Sequence, residues 1–294
     1  ISEVGLVRKV VTERVIAKAG GKTKEEKVAP SSPIGVFDSG VGGLTVLQQI
    51  MKQLPNEDVI YLADTARVPY GSRPPQEIIK ISHEVIPFLI KEEAKLIIMA
   101  CGTSSAIAYP VVKDEYPLYI INMIEPGARA AVEASKTGKI GVIATTGTVN
   151  SRAFQNKIKE LNKDANVHAV SCPLFVPLVE GGFVESDETK RVAKEYLKPL
   201  LKENIDTLIL GCTHYPHLSS VLQSIAGPQV VLIDPAQEAV KDAKKLLKKA
   251  GTLKTKAYPA KYKYFATGSP IQFQDIGSRL LGKPIIGAKQ VTLT

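Results

Sequence analysis

Leu96-Ile97-Ile98-Met99-Ala100-Cys101 is echoed further along the chain by Thr207-Leu208-Ile209-Leu210-Gly211-Cys212. Each stretch is an apolar run of strand length, short for a helix, and each ends in a cysteine. A threonine follows closely in both cases, and a helix-competent stretch comes next. Each therefore reads as a buried strand that delivers a thiol to the turn before a helix. Two such units at the same architectural place imply a chain built from two similar halves, and a cleft between the halves would set Cys101 and Cys212 face to face.

Outward from these strands, short apolar runs alternate with stretches of helical period from Ile34 onward. That is the pattern of strands and crossover helices in a parallel α/β sheet. Strands are expected near 34–37, 58–62, 96–99, 118–121, 140–143, 167–171, 207–210, 229–233 and 262–266. Most runs lead into turn or cap residues, as in Asp38-Ser39-Gly40, Gly102-Thr103-Ser104 and Thr145-Thr146-Gly147. Open α/β sheets bind ligands outside the carboxyl ends of their strands, so these loops are where chemistry is expected.

A chain of 294 residues is long for one domain and comfortable for two. With 44% hydrophobic and 23% charged residues the composition is that of a globular protein. No apolar run approaches the roughly 20 residues a membrane helix needs, so no membrane association is expected. Arg8, Lys9, Glu13 and Arg14 interrupt the valines near the start, which argues against a secretory signal and for a cytoplasmic protein. Three cysteines spread along a long chain read as free thiols in a reducing compartment. The net charge of +9 raises a nucleic-acid partner. However, Lys190, Lys194, Lys198, Lys202, Lys241, Lys244, Lys245, Lys248 and Lys249 fall at spacings that suit solvated helix faces. Residues 1–32 stand apart as an appended segment: valine and isoleucine interleaved with charge, then a polar run from Gly20 to Lys27. An amphipathic helix, a strand added to the body and a non-native extension all fit it.

The glycine-rich turn Asp38-Ser39-Gly40-Val41-Gly42-Gly43 follows a strand but lacks both the Gly-Lys-Ser/Thr ending of a P-loop and the third glycine of a dinucleotide fingerprint. It suits an anionic ligand or a helix cap equally. Cys212, His214, His217 and Cys172 are candidate zinc ligands. Against zinc stand the tight Cys-x-His spacing, the lack of a second cysteine pair and the absence of histidine from the Cys101 loop. Cys-His nucleophilic catalysis would use one thiol and leave the other unexplained, and burial as a structural cysteine is the commonest fate of either. Racemisation uses two: a base takes the proton from one face of a chiral carbon while an acid returns one to the other. His214 is placed to assist Cys212, and Asp38 to assist Cys101.

FDSGVGGLTVL (37–47), YLADTARVPYG (61–71), GVIATTGTVNS (141–151), PLFVPLVEGG (173–182) and LGCTHYPHL (210–218) occur in this order. With them the chain from Ile34 onward resembles the glutamate racemases of the aspartate/glutamate racemase superfamily. The resemblance implies two pseudosymmetric α/β domains with mostly parallel sheets and an interdomain active-site cleft. It divides the chain into 33–126 with 236–294 and 127–235. It also implies L- and D-glutamate as substrate, a role in peptidoglycan synthesis, and no PLP, metal or nucleotide cofactor. Cys101 matches the thiol that deprotonates D-glutamate, and Cys212 the one that deprotonates L-glutamate. Asp38 and His214 match their assistants, and Asp64 and Glu180 match further acidic residues of the site. Substrate contacts are implied at Asp38, Ser39, Tyr70, Gly71, Thr103, Thr213 and His214.

One departure stands out: the family's Cys-Asn-Thr is Cys101-Gly102-Thr103 here. The backbone N–H of Gly102 is expected to serve in place of the amide, with Gly102→Asn tolerated. An aspartate racemase is the nearest rival reading. A non-catalytic acidic-amino-acid binder or a DNA-associated regulator is the rival of a different class, which the presence of both cysteines argues against. The state of assembly, monomer or homodimer, stays open.

Overall fold

The computed structural model describes residues 29–255 and 259–293. In chain order the first half runs β1 (Ile34–Asp38), α1 (Leu44–Gln53), β2 (Val59–Ala63), α2 (Pro75–Lys91), β3 (Leu96–Met99), α3 (Gly102–Ile107), α4 (Tyr109–Val112) and β4 (Ile120–Ile121). Next come α5 (Ile124–Ala134), β5 (Lys139–Ala144), α6 (Thr146–Ser151), α7 (Ala153–Leu161), β6 (Asn166–Ser171), α8 (Phe175–Glu180), α9 (Asp187–Lys202), β7 (Thr207–Leu210), α10 (Ser219–Ala226) and β8 (Val231–Ile233). The chain then returns through α11 (Pro235–Ala250) to β9 (Tyr262–Ala266), α12 (Pro270–Leu281) and β10 (Lys289–Gln290). The nine expected strands are all present, with ends displaced by at most two residues. β10 was not anticipated: its two residues are polar and exposed, so no apolar run marks it.

The strands form two sheets, ordered β10-β9-β2-β1-β3-β4 and β6-β5-β7-β8, with every pairing parallel. Every residue of β1, β2, β3 and β7 is buried, as strands covered on both faces require. The order 2-1-3-4 in the first sheet recurs as 6-5-7-8 in the second, and the register recurs with it. Phe37 lies opposite Leu62 and Met99, and Ile143 lies opposite Val170 and Leu210. Counting two residues beyond these rungs makes Cys101 equivalent to Cys212, Ser39 to Thr145, and Asp64 to Cys172. The two halves are thus related by repetition down to the rung.

Local chemistry supports the elements that carry the site. Thr145, Ser186, Asp234 and Ser269 cap their helices by accepting backbone N–H bonds from Thr148, Thr189, Ala236 and Gln272. On α9 and α11 the nine lysines noted above are all exposed while Val192, Leu197, Val240 and Leu247 face inward, so they are solvated faces of amphipathic helices. α11 packs against both α1 and α5 and so joins the two halves.

Residues 1–28 of the appended segment lie outside the described residues. Its last residues touch the body at Pro30, whose O accepts from Lys95 Nζ at 2.8 Å, next to the bond from Lys95 N–H to Pro33 O at 2.9 Å. The expected division at 126/127 falls within α5, a helix that packs on β7, β8 and α7 of the second half. Among the described residues no helix is long and apolar enough to cross a membrane.

Candidate active site

A cavity of about 470 Å³ opens where the carboxyl-end loops of the two sheets meet. Cys101, Gly102 and Thr103 reach it from the turn after β3, and Cys212, Thr213 and His214 from the turn after β7. Ser39, Tyr70, Gly71 and Glu180 complete the set of anticipated residues that line it. Asp38 and Asp64, both fully buried, stand behind the lining.

The two thiols are almost equally buried but differ in their neighbours. Burial and the charge of Asp38 push the Cys101 thiol up to about 11, against the opposing hydrogen bonds from Ser104. Cys101 therefore holds its proton at neutral pH. The Cys212 sulfur lies 3.8 Å from His214 Nδ1, and His214 Nε2 lies 2.9 Å from Glu180 Oε1. Burial alone would lower the His214 pKa. The hydrogen bonds to Cys212 and Glu180 and the charges of Cys212 and Asp38 outweigh it and raise the value to about 10. The ring is thus held as imidazolium, which places a positive charge beside one sulfur and none beside the other.

Asp38 supports the site from below. Its Oδ1 accepts the Gly40 N–H at 3.0 Å and its Oδ2 accepts the Thr213 hydroxyl at 3.3 Å. Burial raises its pKa, offset in part by His214 and these bonds. It acts on Cys101 through its charge and on the β7 turn through Thr213. Asp64 is saturated by donors: Tyr70 OH at 2.5 Å, Arg67 Nε at 2.7 Å and Thr267 Oγ1 at 2.7 Å. It anchors Tyr70 and ties the turn after β2 to the turn after β9.

Glycines let the two halves approach. A Cβ on Gly42 would lie 2.4 Å from both His214 Nδ1 and Thr213 Oγ1, so the glycine-rich turn after β1 is glycine because the β7 turn packs on it. A Cβ on Gly102 would lie 2.3 Å from the Gly211 carbonyl oxygen. Gly211 has no room to retreat, since its N–H bonds Ile143 O at 2.7 Å and its own Cβ position is closed by Ile143 and Ala144. The expectation that Gly102→Asn is tolerated meets this contact: as packed here the residue after Cys101 abuts the residue before Cys212, and a side chain at Gly102 requires the two loops to shift.

Thr145, Thr146, Pro173, Val176 and Pro177 also line the cavity and were not singled out as site residues. Thr145 bonds Thr103 across the cleft at 2.9 Å. The internal repeat carried the signal for it, since Thr145 occupies in the second half the position of Ser39 in the first. Cys172, weighed above as a zinc ligand, directs its thiol to Val170 O at 3.6 Å, and burial pushes its pKa up.

The chain matches the Asp/Glu/Hydantoin racemase family over residues 34–243. It is 42% identical over 261 residues to the glutamate racemase of Syntrophus aciditrophicus, covering 89% of this chain and 97% of that relative. It is 47% identical over 252 residues to that of Rippkaea orientalis, covering 86% and 89%. Among solved structures, glutamate racemase isoform RacE1 from Bacillus anthracis superposes with a TM-score of 0.85 at 39% identity, over 89% of this chain and 97% of that one. The glutamate racemase from Francisella tularensis in complex with D-glutamate gives 0.84 at 39% identity, over 90% and 98%. With a repeated α/β fold, a cleft between the repeats and this coverage by relatives, the chain belongs to the Asp/Glu/Hydantoin racemase family, as an amino-acid racemase of the glutamate racemase type.

Proposed function

We propose that this protein interconverts L- and D-glutamate by two-base chemistry at Cys101 and Cys212, without a cofactor, and so supplies D-glutamate for peptidoglycan synthesis in the cytoplasm. The observation that carries the reading is the pair of thiols from equivalent strand ends, on one cavity, in opposite electrostatic surroundings. The names of the relatives and the D-glutamate held by the Francisella tularensis enzyme support the substrate.

With L-glutamate, the Cys212 sulfur, with the His214 imidazolium beside it, takes the Cα proton. The Cα–H bond breaks, an S–H bond forms, and the electron pair left on Cα spreads into the adjoining carboxylate. Cys101, held as thiol, gives its proton to the opposite face and keeps the S–H electrons as thiolate. From D-glutamate the same steps run in reverse. Ser39, Thr103 and Thr213 supply hydroxyls, and Tyr70, Gly71 and Gly102 supply cavity wall, to a substrate with two carboxylates. Asp38 and Glu180 hold Thr213 and His214 in place.

The test is incubation of L-glutamate, and separately L-aspartate, with purified protein in deuterated buffer. Optical inversion is followed by circular dichroism and loss of the Cα proton by NMR. Inversion of glutamate with deuterium at Cα and no added cofactor is expected. Cys101→Ala and Cys212→Ala should each lower turnover by about 10³-fold or more, since either leaves one face without its acid or base. A requirement for PLP, turnover of aspartate alone, or substantial activity in either variant would overturn the reading.

A further inference from the structure

Tyr70 and Gly71 reach the cavity on a short strap, residues 68–72, that leaves the first half after β2 and crosses to the second. Its far side meets the second half through close packing at glycine. A Cβ on Gly71 would lie 2.7 Å from Thr145 Cβ, and one on Gly147 would lie 3.0 Å from Gly71 O. Its near side is held by charge. Arg67 donates Nε to the fully buried Asp64 at 2.7 Å and Nη1 to Glu84 of α2, and its carbonyl accepts Arg73 Nε at 2.6 Å. Asp64 in turn accepts the Tyr70 hydroxyl and is tied to the turn after β9 through Thr267. The Arg67 guanidinium thus links the buried carboxylate that anchors Tyr70 to α2, while the Arg67 carbonyl ties the start of the strap to its end.

We infer that Arg67 is a positioning residue for substrate binding: by joining Asp64 to Glu84 it holds the strap 68–72 as the roof of the glutamate site. The inference rests on the glutamate reading above. Arg67 does not line the cavity, so it reaches the substrate only through Tyr70 and Gly71. Both cysteines lie on other loops, and the proton-transfer groups keep their places when the roof loosens. Loss of Arg67 should therefore weaken binding of both enantiomers and leave the chemical step largely intact.

The test is steady-state kinetics in both directions for Arg67→Met, Arg67→Lys and Glu84→Gln. Arg67→Met is expected to raise KM for L- and D-glutamate about tenfold while kcat changes less than about threefold. Arg67→Lys, with one point charge in place of a fork, should recover part of the affinity, and Glu84→Gln should show an intermediate rise because Asp64 stays paired. Glu84→Gln keeps the test decisive should Arg67→Met fail to fold. Unchanged KM in the folded variants, or a fall in kcat as large as the fall in kcat/KM, overturns the inference. Absence of glutamate turnover in the unaltered enzyme is the separate result that removes the underlying reading and the inference with it.

Discussion

At the scale of single residues, the two halves approach closely at Gly102 and the Gly211 carbonyl, where a Cβ on Gly102 would come within 2.3 Å. Gly102→Ala adds only that atom, so its effect reports loop separation and little else. Misplacement of reacting groups by about 1 Å costs on the order of 10²-fold. kcat/KM should accordingly fall about 10- to 100-fold, equally for both enantiomers, because mirror-image substrates have an equilibrium constant of one; wild-type activity would show that the loops can part freely. A second outcome concerns His214, whose pKa is raised from 6.5 to about 10. A group raised on folding stabilises the native state below its unfolded value and loses that contribution as pH rises through the folded one. The stability of the wild type relative to His214→Gln, from urea denaturation, should therefore be largest below pH 6.5 and shrink by about pH 10. A gap that stays constant across that window would show His214 to be neutral. That both cysteines and His214 belong at strand ends, where they line the cavity, was legible from the sequence, because strand-end position and side-chain chemistry are local properties. The meaning of Gly102 was not, since its neighbour is a backbone oxygen more than a hundred residues away.

At the scale of elements, the approach to β3 is fixed by a buried ion pair. Lys95 Nζ lies 2.5 Å from Glu57 Oε2, with the two side chains 0% and 1% exposed. Lys95 also donates to Pro30 O and to Thr252 O at the end of α11, and Glu57 Oε1 accepts the Lys254 N–H at 2.8 Å. Burial lowers the Lys95 pKa, countered by Glu57. Removing one partner of a buried pair leaves an uncompensated charge and costs about 3–5 kcal/mol. Lys95→Met should lower unfolding free energy by that order, and Lys95→Met with Glu57→Gln should recover part of it. A single variant as stable as the wild type would mean that water reaches the pair. The strands themselves were readable from apolar runs, while the two-residue β10 and the strap after β2 were not, as neither has a hydrophobic period.

At the scale of the whole molecule, the two halves repeat strand order and register, and α11 locks one to the other. A chain begun at Ala29 keeps every contact described here and should unfold cooperatively and racemise at the full rate. A chain begun at Pro33 loses the Pro30 carbonyl and leaves a buried Lys95 donor short of a partner, a cost of about 1–3 kcal/mol. Calorimetric melting of the two truncations decides between the boundaries. Equal stability would place the boundary at residue 32, as the sequence alone suggests.

By itself the sequence determined the α/β class, the nine principal strands, the two cysteine-bearing turns and the family. Each of these is written in local hydrophobic period, turn chemistry or contiguous motif. Only the tertiary structure decided that Cys101 holds its proton while Cys212 faces an imidazolium, that Asp64 serves Tyr70, that Arg67 ties the strap, and that Gly102 packs on the Gly211 carbonyl. Those are set by burial and by contacts between residues far apart in the chain, which no local pattern encodes.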